Sequence, residues 1–330
     1  MARLQISIAS WDYDRVRPLM DGRVGVEGCE VNYLPMPVEE CFHRAYFHSE
    51  FDVTEIGMSP FLIACSRGLT DYMALPVFLS RMFRHSAIYV SRDSGIDTPE
   101  DLRGKRVGVP EYQMSAALWS RGMLKDDFGI VADDMSWVQG GLEQPGRRDK
   151  FPLNLPNGFP IEAAPAQATL SQMLGDGALD AVISARAPSS FLDGSGRVRR
   201  LFPDYRQDEA EYYRRTGIFP IMHAVGIRKS LVERHPWLPA SLCKAFAGAK
   251  AIAEQDLGEV TALKIGLPWV AAEYEHTVRV MGRDFWSYGI EPNRKTLEAM
   301  MRYSHEQGLA TRRLALEEVF AESTMEDVSV

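Results

Sequence analysis

Short apolar stretches alternate with amphipathic stretches along the first two thirds of the chain. Residues 4–10, LQISIAS, alternate apolar and polar positions and predict a first strand. The amphipathic stretch that begins at residue 38 has helical spacing, and the apolar stretch 51–56 after it predicts a strand. Because strands and helices alternate in this way, we expect an α/β protein.

The next segments continue the same alternation. Residues 87–90 and 106–109 predict strands, and residues 115–128 predict a helix that ends near a glycine. The tight loop before this helix places residues 111–115 at its N-terminus. Unpaired backbone N–H groups at a helix N-terminus favour anions, so this loop is a candidate ligand site.

The middle of the chain is less regular. Residues 139–165 are rich in Gly, Pro and Asn and carry charges, which is typical of a long loop over a surface or cleft. Strands are predicted at 178–184 and 219–227, and the chain beyond residue 236 is almost entirely helical with a break at 267–269. The strand EFDVTEI (50–56) resembles ALDAVIS (178–184), which either indicates two similar lobes or is a chance similarity.

Composition and charge exclude several classes of protein. The 330 residues are enough for about two domains, and 45% hydrophobic and 25% charged residues are ordinary for a globular protein. A net charge of −8 argues against nucleic-acid binding. No stretch approaches the roughly 20 apolar residues of a membrane span.

The N-terminus and the cysteines indicate a cytoplasmic protein. The first residues contain neither the apolar core nor the small-residue cleavage site of a secretory signal. The four cysteines are scattered without CxxC spacing, so neither a disulfide framework nor a zinc knuckle is expected. Free thiols are typical of a reducing compartment.

Three segments resemble the type II periplasmic-binding-protein fold. They are TPEDLRGKRVGVPEYQMSAALW, GALDAVI and AVGIRKSLVERHPWLPASLCKAF. The resemblance implies two lobes with a ligand cleft between them and a chain that crosses between the lobes twice. It implies a discontinuous lobe one of residues 1–88 plus 222–330, and a lobe two of residues 89–221.

Within that fold, the chain resembles the 4,5-dihydroxyphthalate decarboxylase family. The resemblance rests on YDRVRPLMDGRV, PVFLSRMFRHSAIYV, GKRVGVPEYQMSAALWSRG, GGLEQPGR and TLSQMLGDGALDAVISARAPSSF. It implies a cytosolic enzyme that needs no cofactor and removes one carboxylate from a dihydroxylated phthalate, giving protocatechuate. A small aromatic dicarboxylate is then the partner, and a homo-oligomer is left open.

Three alternatives stay open at this stage. The familiar motif has Thr where this chain has Val16, so a related hydroxylated aromatic acid could be the substrate. Most proteins of this fold only bind their ligands, so a binding protein for an aromatic or dicarboxylic acid is the second alternative. The third is a divalent metal that polarises the phenol.

The reaction requires an acid near the ring carbon, a base near the phenol and cations for the carboxylates. We expect the catalytic residues among His85, Glu55 and His223. His85 adjoins a strand and follows an arginine, Glu55 ends a strand, and His223 begins the return strand. The alternative to a catalytic role is a core histidine for His85 or His223. For Glu55 it is a structural carboxylate that accepts hydrogen bonds from loop N–H groups or from an arginine.

The candidate substrate-binding residues lie at predicted strand ends and in the loop before the helix at 115, where open α/β sheets bind ligands. With the family resemblance, we expect at least one arginine to clamp a carboxylate through paired hydrogen bonds, although each arginine could instead form a surface ion pair. The candidates are Trp11, Asp12, Arg15, Ser59, Arg81, Arg84, Glu111, Tyr112, Gln113, Ser115 and Arg186.

Overall fold

The computed structural model describes residues 3–147, 149–156 and 158–326. Within these residues the strands form two sheets. The strands are β1 Leu4–Ser10, β2 Cys29–Pro35, β3 Val53–Gly57, β4 Tyr72–Arg81, β5 Ile88–Ser91, β6 Arg106–Val109, β7 Ser136–Gln139, β8 Ile161–Ala163, β9 Ala181–Ile183, β10 Val198–Arg200 and β11 Ile221–Arg228.

Helices connect and cover these sheets. The helices are α1 Arg17–Met20, α2 Val38–His48, α3 Met58–Arg67, α4 Ser115–Phe128, α5 Leu170–Gly175, α6 Ser189–Leu192, α7 Tyr205–Thr216, α8 Lys229–Arg234, α9 Leu238–Leu257, α10 Val270–Met281, α11 Arg294–Glu306 and α12 Leu316–Val319. The α/β class predicted from the alternating pattern is confirmed.

Most predicted elements are present, with shifted ends. The strands β1 and β6 and the helix α4 have the predicted bounds. The strand predicted at 87–90 begins at Ile88, because residues His85–Ala87 form a short 3-10 helix. The predicted break at 267–269 is longer, since α9 ends at Leu257 and α10 begins at Val270.

The first sheet has the strand order β2-β1-β3-β11-β4. Strand β1 runs parallel to β2 and β3, whereas β11 runs antiparallel to β3 and β4. The register between β11 and β4 shifts twice, on either side of His223. Such an irregularity re-aims a side chain relative to a regular ladder.

The second sheet has the strand order β10-β5-β9-β6-β7-β8. Strands β9, β6, β7 and β8 are parallel, and β5 runs antiparallel to both β9 and β10. The strands of the second sheet all come from residues 88–200, and those of the first from residues 4–81 and 221–228. We call the first sheet with its helices lobe one and the second sheet with its helices lobe two. The lobe boundaries after residues 88 and 221 stay a prediction.

The two lobes pack against each other through α3, α4 and β11. The indole Nε1 of Trp119 on α4 donates to the carbonyl of Ile221 at 2.8 Å. The backbone N–H of Ser59 on α3 donates to Ser115 Oγ on α4 at 3.1 Å. One apolar cluster runs from Phe61 on α3 to Trp119 and on to Tyr303 on α11, so the floor of the cleft is rigidly packed.

Within the residues that the structure describes, no helix is long and apolar enough to cross a membrane. The four cysteines are free thiols, and three of them, Cys29, Cys41 and Cys243, are buried.

Candidate active site

A buried carboxylate lies in the middle of strand β3, because the strand runs on to Gly57 and does not end at Glu55 as predicted. Glu55 is 0% exposed and accepts three hydrogen bonds. His223 Nδ1 lies 2.6 Å from its Oε1, and the hydroxyl of Tyr13 lies 2.7 Å from the same oxygen. The backbone N–H of Trp11 donates to Oε2 at 2.9 Å. Buried charges persist only when they are paired and hydrogen-bonded, and these contacts meet that condition.

The hydrogen bonds determine the protonation of this pair. Burial acts to raise the pKa of Glu55, but the hydrogen bonds and the charge interaction with His223, assisted by the other two donors, lower it overall. Glu55 is therefore a carboxylate at neutral pH, and an acceptor-only partner requires the proton on His223 Nδ1. The other ring nitrogen, Nε2, is left to exchange a proton with a ligand.

The position of His223 follows from strand pairing. His223 on β11 lies opposite Gly57 on β3 and opposite Ser80 on β4. The ring of Phe42 on α2 meets the imidazole edge-on, with ring centroids 4.9 Å apart. Together the carboxylate and the aromatic ring hold the imidazole in one orientation.

A cavity of about 150 Å³ lies beside His223, between the two lobes. An apolar cavity of this size holds one benzene ring. Its lining combines apolar walls with charged groups. The lining residues are Val38, Glu39, Phe42, Gly57, Pro60, Arg84, Glu111, Met114, Ser115, Ala116, Arg147, Lys150, Ala185, Arg186, Met222 and His223.

Arg84 brings a positive charge to this cavity without a carboxylate partner in the described part of the chain. It is 7% exposed. Its Nε donates to the sulfur of Met222 at 3.2 Å and its Nη1 to the sulfur of Met82 at 3.6 Å. Thioether sulfurs are weak acceptors. Burial lowers the pKa of Arg84 to about 10, so the group is still a cation at neutral pH and is ready for an anionic ligand.

A network of charges forms the lobe-two wall. The buried carboxylate of Glu111 accepts from Arg147 Nε at 2.6 Å and from Lys150 Nζ at 2.9 Å. Glu39 on α2 of lobe one accepts from Arg147 Nη2 at 2.8 Å. The network therefore also ties the loop after β7 to the opposite lobe.

Two helix N-termini meet beside the cavity. Ser115 begins α4 without capping it, and its hydroxyl accepts the Ser59 N–H from the first turn of α3. The positive ends of both helix dipoles favour an anion here. Arg186, exposed in the loop after β9, lines the cavity and an adjoining cavity of about 470 Å³.

The structure brings together six of the residues predicted from sequence. His223, Arg84, Glu111, Ser115 and Arg186 line the cavity, and Glu55 lies behind His223. It does not bring the others to this lining. Those are Trp11, Asp12, Arg15, Ser59, Arg81, His85, Tyr112 and Gln113.

Two predicted clamps, Arg81 and Arg15, have structural partners instead. Arg81 donates to the carbonyl oxygens of Ser287 and Phe219 at 3.1 Å and 2.7 Å. Arg15 donates to the carbonyl oxygen of Leu79 through Nε at 2.9 Å. Both guanidiniums thus donate to backbone carbonyl oxygens of this chain.

His85 and Tyr112 do not line the cavity. His85 is 4% exposed and packs edge-on against Phe202 and Tyr212. Burial lowers the pKa of His85 to about 4, so the ring is neutral. Tyr112 lies in the lobe-two core, where the guanidinium of Arg121 stacks 3.7 Å from its ring centroid.

The remaining predicted residues have local roles. Gln113 donates to the carbonyl of Phe151 at 2.8 Å and accepts its N–H. Asp12 forms a surface ion pair with Arg17, and Ser59 is buried beneath the cavity. Trp11 contacts the site through its backbone N–H, which donates to Glu55.

Sequence reasoning missed Tyr13, Arg147 and Lys150. Arg147 and Lys150 come from the loop 139–165. The sequence shows that this loop is charged, but no periodic pattern predicts its path. Val16, where the family motif has Thr, is 0% exposed in the lobe-one core and does not line the cavity. The described residues contain no group of three or more His, Cys, Asp or Glu side chains placed to hold a metal ion.

Two curated relatives cover most or all of the chain. A 4,5-dihydroxyphthalate decarboxylase from Comamonas testosteroni is 43% identical over 330 residues, 100% of both chains. A protein of the same name from Pseudomonas putida is 44% identical over 214 residues, 65% of this chain and 83% of the relative. No family model matches the chain.

Solved structures share the fold at low sequence identity. The putative periplasmic sulfonate-binding protein SsuA from Methylobacillus flagellatus has a TM-score of 0.56 at 16% identity, covering 96% of this chain and 91% of that chain. The desulfurization enzyme DszB has a TM-score of 0.53 at 15% identity, covering 98% of each chain. These similarities confirm the predicted two-lobed, periplasmic-binding-protein-like fold. The full-length identity to the first relative confirms the motif-based assignment: the chain belongs to the 4,5-dihydroxyphthalate decarboxylase family.

Proposed function

We propose that this protein decarboxylates 4,5-dihydroxyphthalate to 3,4-dihydroxybenzoate (protocatechuate). The observation that carries the proposal is that the Glu55–His223 pair and the unpartnered cation Arg84 meet in one ring-sized cavity. A proton-transfer group and a carboxylate anchor are two of the parts that this reaction needs. The names of both curated relatives support the same substrate.

In this proposal Arg84 binds the carboxylate that stays on the ring. Its guanidinium lacks an anionic partner among the described residues, and a carboxylate would supply one with two parallel hydrogen bonds. The leaving carboxylate then lies against the apolar wall formed by Phe42, Pro60 and Met114. A poorly hydrated wall favours neutral CO₂ over the charged carboxylate.

The hydroxyl groups of the substrate then face the lobe-two network. Glu111 is an acceptor for a phenol O–H, and Lys150 supplies a positive charge 2.9 Å from the Glu111 carboxylate. As a hydroxyl loses its proton, negative charge develops on its oxygen. Preorganised cations at that position stabilise the transition state.

His223 transfers the proton that breaks aromaticity. In its doubly protonated form His223 delivers the Nε2 proton to the ring carbon bearing the leaving carboxylate, while the hydroxyl para to that carbon gives its proton to Glu111 and pushes electrons into the ring. The carbon–carboxylate bond then breaks, its electron pair restores the aromatic ring, and the phenolate oxygen takes its proton back from Glu111. The substrate dianion and one proton give the product monoanion and CO₂. Such proton transfer contributes roughly 10²–10⁴-fold to the rate.

The direct test incubates the purified protein with 4,5-dihydroxyphthalate and follows CO₂ release and 3,4-dihydroxybenzoate formation. We expect stoichiometric formation of both products. No turnover at high enzyme concentration, with tight binding of the substrate retained, would contradict the proposal. Mass spectrometry across other ortho-dicarboxylates and hydroxybenzoates tests whether a related acid is the better substrate.

A binding protein for an aromatic or dicarboxylic acid is the second candidate, because the fold is shared with a sulfonate-binding protein. Saturable thermal stabilisation by an acid that stays chemically unchanged would favour it. The Glu55–His223 pair supports the enzyme instead, since binding alone does not require a proton-transfer group.

We also propose a cytoplasmic location. The four cysteines are free thiols in the structure, and thiols stay reduced in the cytosol. Fractionation of the source cells, followed by immunodetection of the protein, tests this location.

A further inference from the structure

We propose that Tyr13 is a positioning residue that sets how readily His223 exchanges a proton. This inference rests on the proposed decarboxylation for its catalytic meaning, but its geometry is independent of the substrate. Tyr13 does not line the cavity, so it acts through Glu55 and not on the ligand.

Tyr13 and His223 donate to the same oxygen of Glu55. The Tyr13 hydroxyl lies 2.7 Å from Oε1, and His223 Nδ1 lies 2.6 Å from that atom. The other oxygen, Oε2, is taken by the backbone N–H of Trp11. Because two donors share one oxygen, the hydroxyl withdraws negative charge from the atom that holds the imidazole. Burial and the nearby carboxylate raise the pKa of Tyr13, so its hydroxyl stays a donor.

The Tyr13 ring cannot easily turn away from this position. The guanidinium of Arg15 lies 4.2 Å from the Tyr13 ring centroid and 4.2 Å from that of Trp286. Arg15 is fixed by its bond to the Leu79 carbonyl, and the Trp286 indole donates to the Phe78 carbonyl at 2.8 Å. Arg15, which was predicted from sequence to clamp the substrate, thus lies between the Tyr13 and Trp286 rings and holds the Tyr13 ring in place.

Removal of the Tyr13 hydroxyl has a defined electrostatic sign. Without it, Glu55 Oε1 carries more negative charge, and a positive charge on His223 is better stabilised. The protonated imidazole is then favoured at higher pH. Other charged groups near His223 are not altered when Tyr13 is changed. They line the same cavity and are Glu39, Arg84, Glu111, Arg147, Lys150 and Arg186.

The test compares Tyr13→Phe with Tyr33→Phe. Tyr33 is a matched control, because its hydroxyl lies 2.7 Å from Ser10 Oγ in the same lobe and not on Glu55. The imidazole signals are followed by NMR against pH in the full protein without substrate, with His223 assigned by its loss in His223→Gln. We expect the His223 titration midpoint to move upward by about half a unit or more in Tyr13→Phe and to stay in place in Tyr33→Phe.

A midpoint that does not move in Tyr13→Phe, or that moves equally in both variants, would overturn the inference. The kcat of Tyr13→Phe against pH gives a second readout, and its His223-dependent limb should shift in the same direction. An NMR shift without any turnover of 4,5-dihydroxyphthalate would leave the positioning role intact and count against the proposed reaction alone.

Discussion

Arg84 follows Arg81 by three residues, yet the two guanidiniums serve different purposes. Arg81 donates to the carbonyl oxygens of Ser287 and Phe219, whereas Arg84 donates to the sulfur atoms of Met222 and Met82 and lines the cavity. The first arginine therefore joins the end of β4 to Ser287 and Phe219, and we propose that the second binds an anionic group of the ligand.

Replacing the two arginines should separate binding from stability. In Arg84→Met we expect the dissociation constant of phthalate, an analogue without the hydroxyls, to rise roughly 10- to 100-fold, because a charge-assisted hydrogen bond is lost. The melting temperature should stay the same or rise, since an unpaired buried charge is removed. Calorimetric titration and thermal melts measure both quantities.

Arg81→Met is the matched control for this change. It leaves the carbonyl oxygens of Ser287 and Phe219 without their donor, so the free energy of unfolding should fall by about 1–3 kcal/mol. Phthalate binding at a temperature where the variant is folded should be nearly unchanged. If Arg81→Met loses phthalate affinity as much as Arg84→Met does, the assignment of Arg84 as the anchor is wrong.

His223→Gln should lose chemistry while keeping binding. We expect kcat for 4,5-dihydroxyphthalate to fall roughly 10²–10⁴-fold, because the amide cannot deliver a proton to the ring carbon. The dissociation constant of phthalate should change only slightly, since the anchor Arg84 is untouched. His43→Gln removes an exposed histidine from α2 and should leave kcat unchanged. Retention of wild-type kcat by His223→Gln would rule out His223 as the proton donor.

The fold was predictable because its signals are local. Alternation of apolar residues marks β1, and the stretch GKRVGVPEYQMSAALW marks β6, its loop and α4 with correct bounds. The similarity of residues 50–56 and 178–184 also has a structural counterpart. Strand β3 pairs antiparallel with β11 and strand β9 with β5, and both partner strands begin at a predicted lobe crossing.

The site was predictable only in part, because side-chain direction depends on long-range packing. Glu55 and His223 were both candidates, but their contact spans 168 residues and follows from the pairing of β3 with β11. Arg84 lies between the end of β4 at Arg81 and the short 3-10 helix that begins at His85, where no alternation predicts which side chain faces the cleft. Lys150 comes from a loop without periodicity, so only the folded chain connects it to Glu111.

Gly122 on α4 should be intolerant of a side chain. A methyl group there would lie 2.3 Å from the ring of Tyr303 on α11. That ring packs on Trp119, and its hydroxyl donates to Asp126 at 2.5 Å, so it cannot move aside cheaply. We expect Gly122→Ala to lower the free energy of unfolding by about 1–3 kcal/mol, measured by urea denaturation.

Gly248→Ala in α9 is the control for that substitution. Its added methyl group would meet only Val24, at 3.7 Å, which is an ordinary contact. Replacing a helical glycine by alanine without a clash should leave stability unchanged or raise it by about 0.5–1 kcal/mol. Equal losses in both variants would show that helix α4 is not held by the close approach of Gly122 to Tyr303.

His85 should make the protein sensitive to acid without taking part in catalysis. Its pKa in the folded protein is lowered to about 4 by burial, with a smaller effect of the charge of Arg215, from an ordinary value of 6.5. Between these two values the unfolded chain binds a proton that the folded protein does not. Its contribution to the free energy of unfolding therefore falls as pH drops from about 6.5 to about 4, by about 3 kcal/mol in all.

His85→Phe tests this, because a phenyl ring fits the aromatic surroundings of Phe202 and Tyr212 and cannot take up a proton. We expect its free energy of unfolding, measured by urea denaturation at pH 7 and pH 4.5, to decrease less on acidification than that of the unsubstituted protein. Its kcat at neutral pH should stay within a few-fold, since the ring lies outside the cavity that contains His223. A large loss of kcat in a folded His85→Phe would instead restore His85 as a catalytic candidate, and an unchanged acid response would show that other groups dominate acid unfolding.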